Sequence, residues 1–410
     1  MERINAHSRA AIEFCLEWAS SEAHHRDFFY TDNVNFWRDC FTPDLLAKLK
    51  NRQAGETIVL YERSEIPIGR HLPKKIHRIP MQQFDRRYLP DRVILPHQGR
   101  FYPLGMVQGL PGVFRGNTNL CRCIKANSQA LVFDLNHPLA GYPLTLTAVI
   151  HNIHNNNIER GGRCEDWLEA VTMDGPGMQA RYQASRTDFE DAHAFHRDDE
   201  SDDTIFYKNN RMVHHIDSRA RAIIASIYRQ YLQPESRVLD LMASWNSHLP
   251  EDLHIRKLTV LGMNSEELSA NKLATERVVR DLNVELELPF PTQSFDAVIC
   301  TVSVEYLTQP YKTFQEIGRI LTQGGLCIMT FANRWFPAKV VRIWEELHEF
   351  ERVGLVCDYF LQTEMFRELQ TLTYRGWPRP EDDKYFGMYS YADPVYAVIA
   401  RKEGGKISRS

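Results

Sequence analysis

The chain has 410 residues, of which 43% are apolar and 25% charged, and its net charge is −4. This length allows two or three domains of ordinary globular composition. The acidic balance gives no sign of the basic surface that nucleic-acid binding needs, and no segment approaches the roughly 18 uninterrupted apolar residues of a membrane span. No leader-like segment begins the chain, and the eight cysteines are scattered. We therefore expect a cytoplasmic protein without a disulfide framework or a metal site.

The first predicted element is an amphipathic helix over residues 1–27. Ala11, Phe14, Cys15 and Trp18 recur at helical spacing there. Residues 28–158 then become rich in proline, glycine and short β-forming runs such as 57–61 and 130–134. This change predicts a small domain dominated by β-strands.

A turn motif lies near the end of that domain. Residues 133–144 read F-D-L-N-H-P-L-A-G-Y-P-L, and residues 45–57 carry an L-L-A-K-L segment followed by Q-A-G-E-T. The first run resembles the D-x-N-H-P-L-A-G-x-x-L signature of SlyD-like prolyl isomerases of the FKBP type. The resemblance implies an α+β FKBP-like domain, with a flap at about residues 70–132 that binds unfolded chains.

The isomerase pocket of that family is built from aromatic side chains, and two of them are replaced here. Residues 144–146 read L-T-L where the family has a phenylalanine, and residues 67–69 replace its A-Y-G turn. We therefore expect a module that captures a peptide or a protein partner, with weak or absent isomerisation. An active prolyl isomerase is the alternative.

Residues 159–230 are polar and predict a linker that ends in a lead-in helix. The acidic run at 198–203 is typical of a solvated loop. Residues 216–231 place isoleucine and tyrosine at helical spacing, which predicts a helix over 216–232.

Residues 231–402 alternate strands and helices, which predicts a mostly parallel sheet with helices on both faces, followed by a tail at 403–410. The first apolar strand ends in Asp240 and the second in Asn264, an L-P-F turn precedes the next strand, and a helix stops at Gly324 and Gly325. This order resembles a class I S-adenosylmethionine (SAM) dependent methyltransferase of the type 11 kind. The resemblance implies an α/β, Rossmann-like fold and SAM as the cofactor.

Cofactor contacts are expected beyond the carboxyl ends of the strands, where the strand order reverses. The family's D-x-G-x-G-x-G turn reads D-L-M-A-S-W-N at residues 240–246, so the acid is kept and every glycine is replaced. The resemblance implies that Asn264 replaces a carboxylate that accepts from the ribose hydroxyls, and that Asp281 accepts from the adenine amino group. The cofactor residues that it implies are Asp240, Leu241, Met242, Ser244, Asn264, Asp281, Leu282 and Thr301.

Substrate contacts are expected from the next two strand ends. Glu305 and Tyr306 could orient an acceptor or take its proton, and the equal alternative is that they pack and cap a helix. Asn333 and Arg334 are the predicted substrate-binding residues, although an arginine at a strand end often pairs with a neighbouring carboxylate. The methyl acceptor is not assigned, and the N-terminal module suggests a protein or a peptide.

Two classes of function stay open. The first is a SAM-dependent methyltransferase with a recruiting module. The second is a non-catalytic binding or chaperone-like protein in which both folds have lost their chemistry. The missing glycines favour the second class, and the retained Asp240 with its polar strand ends favours the first.

Overall fold

The structure, a computed structural model, describes residues 2–62, 66, 68–89, 92–127, 129–155 and 161–404. It divides into two compact units, each made of separate stretches of chain. The first unit comprises the chain up to His25, Asn33–Ala192 and Leu347–Leu355, and the second comprises Arg26–Asp32, His193–Glu346 and the chain from Val356 onward.

The elements before residue 193 are β1 (Arg9–Ala19), β2 (Ala23–Asn35), α1 (Pro43–Leu49), β3 (Thr57–Tyr61), β4 (Ile76–Ile79), β5 (Phe101–Pro103), β6 (Leu120–Ala126), β7 (Leu131–Asp134), β8 (Thr145–His154) and α2 (Trp167–Thr172). Those that follow are α3 (Asp203–Phe206), α4 (Ser218–Tyr231), β9 (Arg237–Leu241), β10 (Lys257–Gly262), α5 (Ser265–Ala270), β11 (Glu276–Val279), β12 (Phe295–Thr301), α6 (Pro310–Ile320), β13 (Leu321–Phe331), α7 (Arg342–Glu346), α8 (Glu349–Gln362), β14 (Phe366–Arg375) and β15 (Val395–Lys402). Short 3-10 turns lie at Pro73–Lys75, Met81–Gln83, Leu104–Met106 and Val304–Tyr306.

The first unit is built mainly from antiparallel strands. β8 pairs with β1 on one side and with β3 on the other. The chain between β3 and β8 forms a separate four-stranded sheet in the order β4-β7-β6-β5, with a core that includes Phe84, Tyr102 and Phe133. The predicted β-dominated character of residues 28–158 is therefore confirmed.

A short stretch from far along the sequence completes the first unit. Glu351 accepts hydrogen bonds from Arg100 Nε at 3.1 Å and from the Phe101 amide at 2.9 Å, and both side chains of the ion pair are buried. Phe350 packs so closely on Gly175 that a Cβ added there would lie 2.3 Å from the phenylalanine ring. These contacts explain why residues 347–355 belong to this unit.

The predicted helix over residues 1–27 is wrong, because β1 and part of β2 occupy that stretch. Ile12 and Phe14 are buried on one face of β1, and Ala11 and Cys15 are buried on the other face. A strand that is buried on both faces shows no two-residue alternation, so its apolar residues also satisfy a helical spacing.

The second unit contains a doubly wound sheet. Its strands follow the order β11-β10-β9-β12-β13-β15-β14. β9, β10, β11, β12 and β13 pair in parallel, and β15 is antiparallel to both β13 and β14. The central strands are buried on both faces, as in Val238 and Leu239 of β9, so their sequences are continuous apolar runs. The predicted α/β fold class is confirmed for this unit.

Three further predictions, on the linker, on the position of β15 and on the end of α6, need correction. The predicted linker over 159–230 is wrong, since its described residues up to Ala192 belong to the first unit and the following ones to the second. The closing strand β15 is antiparallel as predicted, but it lies between β13 and β14 instead of at the edge. Helix α6 ends at Ile320, before Gly324, whose φ of +73° lies inside β13.

The lead-in helix is confirmed as α4. The Asp217 side chain caps it by accepting from the Ala220 amide, and Ile224 and Tyr228 are buried one turn apart. Of the predicted tail, residues 405–410 lie outside the described residues. In the described part of the chain, no helix is both long enough and apolar enough to cross a bilayer.

Candidate functional site

The turn after β9 lies tightly against β10. Met242 adopts a φ of +55°, a left-handed conformation in which glycine is usual. The Ala243 amide donates to the Leu261 carbonyl at 2.7 Å. A Cβ added to Gly262 would lie 2.1 Å from the Ala243 carbonyl oxygen, so Gly262 is what allows the turn to come this close.

Asp240, the acid at the end of β9, is buried. Its carboxylate has a hydrogen bond from Ser247, and burial raises the pKa of Asp240 to about 7. Leu241 is also buried. Close by, the Ser303 hydroxyl that follows β12 donates to the Met242 carbonyl at 3.4 Å. The ends of β9 and β12 therefore meet at the point where the strand order reverses.

Residues from α5 and the loop after it hold the turn in place. The Ser244 hydroxyl donates to a Glu267 carboxylate oxygen at 2.6 Å. The Asn271 amide donates to the Ser244 carbonyl at 3.2 Å and to the Ser247 hydroxyl at 2.8 Å. The polar groups of Ser244 are thus engaged by the protein itself.

Asn264 follows β10 and has two roles. Its side-chain oxygen caps α5 by accepting from the Glu266 and Glu267 amides, each at 3.0 Å. Its amide nitrogen donates to the Tyr207 carbonyl at 3.0 Å and to Asn210 Oδ1 at 2.9 Å. Both ends of the side chain are therefore in use.

Asp281 and Leu282 follow β11. Asp281 accepts from the Asn283 amide at 2.8 Å, and partial burial raises the pKa of its carboxyl. Leu282 is buried. The Asn283 side chain in turn donates to Asp203 Oδ2 at 3.2 Å.

Residues 203–211, here called the covering segment, lie against the ends of β10 and β11. The sequence predicts that Asn264 and Asp281, which follow these strands, bind the nucleoside of the cofactor. The segment contacts Asn264 through Tyr207, and Asn283 through Asp203. Its last residue, Arg211, donates its backbone amide to Glu267 at 2.7 Å. Sequence reasoning missed this segment because the acidic run at 198–203 looks like a solvated loop.

A buried ion network anchors the start of the covering segment. Asp203 is only 4% exposed and accepts two bonds from Arg197 Nη1, at 2.7 and 2.9 Å. Lys339, which is fully buried, lies 3.0 Å from Asp203 and 3.0 Å from Asp199. Two carboxylates of the acidic run, Asp199 and Asp203, therefore form ion pairs with Lys339, and Asp203 also pairs with Arg197.

The residues at the end of β12 differ in burial, with Thr301 half-buried and Glu305 and Tyr306 buried. Thr301 shares a 2.6 Å hydrogen bond with the Tyr228 hydroxyl of α4. Glu305 is buried, and Tyr306 accepts from the Phe336 amide at 2.9 Å through its hydroxyl oxygen. Burial raises the pKa of Tyr306 well above its usual range, so the phenol stays protonated at neutral pH.

The two residues after β13 differ from each other. Asn333 is exposed. Arg334 donates to Asp393 at 2.8 Å and lies over the Tyr385 ring at 4.6 Å, and Asp393 also binds Arg379 at 3.0 Å. The pairing of Arg334 with a neighbouring carboxylate, which the sequence left as an alternative, is what the structure contains.

The predicted residues are thus distributed along one end of the sheet. Ser244 and Asn264 both contact α5, whereas Arg334 belongs to a separate ion network around Asp393. Within the described ranges, no three side chains of the metal-ligating types come together.

A family model described as a methyltransferase domain matches residues 246–329, which include β10 to β12 and most of β13. Solved structures similar to the chain include a SAM-dependent methyltransferase from Thermotoga maritima, with 16% identity, 46% of this chain and 90% of that chain covered, and a TM-score of 0.33. Another comes from Mesorhizobium loti, with 12% identity, 43% and 96% covered, and a TM-score of 0.30. No curated protein matches the chain. Residues 246–329 of the second unit are therefore similar to a methyltransferase domain.

Proposed function

We propose that this protein is a SAM-dependent methyltransferase whose N-terminal FKBP-like module recruits a protein or peptide as the methyl acceptor. The methyltransferase domain supports SAM as the cofactor. The observation that carries the proposal is the contact of Ser303 with Met242, two residues after Asp240, where the strand order reverses and doubly wound sheets bind ligands.

The residues at these strand ends do not fit the nucleoside in the conformation described. Asn264 uses its oxygen on α5 and its amide on residues 207–210, and Ser244 is bound to Glu267. A nucleoside could reach these groups only after the covering segment had left Asn264. We therefore assign no reaction step to the cofactor in this conformation.

The FKBP-like part of the proposal draws on the turn motif and on the inserted sheet. Asn136 of the motif donates to the Leu72 carbonyl at 3.1 Å and accepts from the Leu72 amide at 2.9 Å. The turn is thus tied to the start of the chain segment that forms β4, β5, β6 and β7 between β3 and β8. An inserted sheet with its own core is suited to holding a partner chain.

One observation favours the second candidate function, a non-catalytic binding protein. The covering segment contacts Asn264 and Asn283, so the protein's own chain occupies the position expected for the nucleoside. If those contacts never open, the methyltransferase fold serves only as a scaffold.

Calorimetric titration distinguishes the two functions. We expect SAM and S-adenosylhomocysteine to bind with measurable heat, and ATP, which shares the adenosine, to bind more weakly because it lacks the amino-acid moiety. If neither SAM nor S-adenosylhomocysteine gives heat at millimolar concentration, the enzyme proposal is refuted and the non-catalytic binding protein remains.

A further inference from the structure

Asn264 offers donors where a ribose diol is best met by acceptors. An aspartate at this place has only acceptor oxygens, whereas an asparagine adds an amide with two N–H donors. Here those donors point at the Tyr207 carbonyl at 3.0 Å, at Asn210 Oδ1 at 2.9 Å and at the Lys208 carbonyl at 3.4 Å. The residue type therefore suits the protein's own backbone carbonyls.

Further contacts of the covering segment follow the same end of the sheet. Arg211 donates its backbone amide to Glu267, and the Asn210 side chain donates to Glu266. The Arg211 guanidinium lies over the Phe206 ring at 4.5 Å and over the Phe336 ring at 5.3 Å. The segment is therefore fixed at several points by contacts with Glu266, Glu267 and Phe336.

We propose that residues 203–211 act as an internal ligand of the methyltransferase domain, held by Asn264, and that SAM binds only when they are displaced. This inference rests on the proposed function, because it presumes that the vacated position accepts SAM. In such an equilibrium, the apparent affinity for SAM is reduced by the small fraction of molecules in which the segment is released.

Asn264→Asp is the direct test. Aspartate keeps the size of the side chain and its ability to cap α5, but it turns an acceptor oxygen toward the Tyr207 and Lys208 carbonyls. We expect the dissociation constant of SAM to fall at least tenfold, and amide hydrogen exchange in residues 203–211 to become faster. Asn209→Asp makes the same change on an exposed side chain of the segment and should leave both quantities unchanged.

The outcomes separate this inference from the proposed function. If wild type binds SAM and Asn264→Asp binds it no better, the internal ligand is refuted and the methyltransferase proposal stands. If no form binds SAM, both fall. Should Asn264→Asp fail to fold, the wild type still decides: SAM should accelerate amide exchange in residues 203–211, and protection of these residues by SAM would refute displacement.

A second inference concerns the first unit and is independent of the cofactor. Cys40 and Cys164, separated by 124 positions in the chain, place their sulfur atoms 3.1 Å apart, and both are exposed. The Cys40 amide donates to the Glu165 carbonyl at 2.8 Å, so the two backbones are already paired. The sequence could not reveal this neighbour, because only Cys121 and Cys123 lie close together in the chain.

We infer that Cys40 and Cys164 form a reversible disulfide when the protein meets hydrogen peroxide. One thiol is oxidised to a sulfenic acid with release of water, and the second sulfur then displaces another water to form the S–S bond. The bond would tie the chain three residues before α1 to the chain three residues before α2. Among intracellular proteins, such disulfides are usually transient and regulatory.

Treatment with hydrogen peroxide followed by non-reducing peptide mapping tests this inference. We expect a linked Cys40–Cys164 peptide, two fewer thiols per chain, and full recovery with dithiothreitol, whereas the buried Cys121 and Cys123 should stay free. Cys40→Ser should abolish the linked peptide. Oxidation of the two cysteines to separate sulfinic acids, without a linked peptide, would refute the inference.

Discussion

Replacing Asp203 by asparagine should lower the free energy of unfolding of the second unit by about 3 kcal/mol. The change keeps the volume of the side chain but removes the negative charge that lies between Arg197 and Lys339. Lys339 is fully buried, and a buried cation that loses a partner carries a desolvation cost without compensation. Asp199 and two backbone carbonyls still contact Lys339, which limits the loss.

Asp198→Asn is the matched control for this experiment. It makes the same chemical change in the same acidic run, but on an exposed side chain, so it should alter the stability by about 0.5 kcal/mol or less. Urea denaturation of both variants measures the difference. Equal stability of the two variants would show that the network around Lys339 contributes nothing specific.

Replacing Asp240 by asparagine should stabilise the protein at alkaline pH and leave it nearly unchanged at acid pH. Burial raises the pKa of Asp240 to about 7, whereas an unfolded aspartate titrates near 3.9. Below about pH 4 the carboxyl is protonated in both states and costs nothing. As the pH rises from about 4 to 7, only the unfolded chain ionises freely, so wild type loses stability over that window.

The expected size follows from the pKa difference. At about 1.4 kcal/mol per pKa unit, the asparagine variant should exceed wild type by about 2–4 kcal/mol at pH 8 and by about zero at pH 4. Thermal or urea denaturation across this pH range measures the difference. Asp296→Asn is a control of opposite sign, because Arg237 lowers the pKa of Asp296 and its charge therefore stabilises the fold above that pKa. If the stability difference between wild type and Asp240→Asn did not change with pH, the pKa of Asp240 would not be raised in the folded protein.

The sequence predicted the second unit better than the first. Parallel strands that are buried on both faces are continuous apolar runs, so β9, β10 and β12 could be recognised from residues such as Val238 and Leu239. The same property misled the prediction for β1, where Ile12 and Leu16 are buried on one face and Ala11 and Cys15 on the other. Local spacing does not distinguish a strand buried on two faces from a helix.

The site shows the same division between local and distant information. The positions of Asp240 and Asn264 at strand ends follow from the apolar runs before them. The contacts of Asn264 with residues 207–210, and of Asp203 with Lys339, join residues more than 50 positions apart. No local pattern encodes such pairs. The only local indication was Asn264 itself. Its side-chain N–H donors are not needed to bind the ribose hydroxyls, for which the resembled family uses a carboxylate.

The division of the chain has a consequence for its synthesis. Leu347–Leu355 completes the first unit, and Glu351 in that stretch supplies the carboxylate that binds Arg100 and the Phe101 amide. The ribosome must therefore synthesise residues 193–346, which belong to the second unit, before the first unit can finish folding. The first unit therefore cannot complete its folding as soon as residue 192 has been synthesised. A truncated chain that ends at residue 192 would lack Leu347–Leu355 and the carboxylate of Glu351.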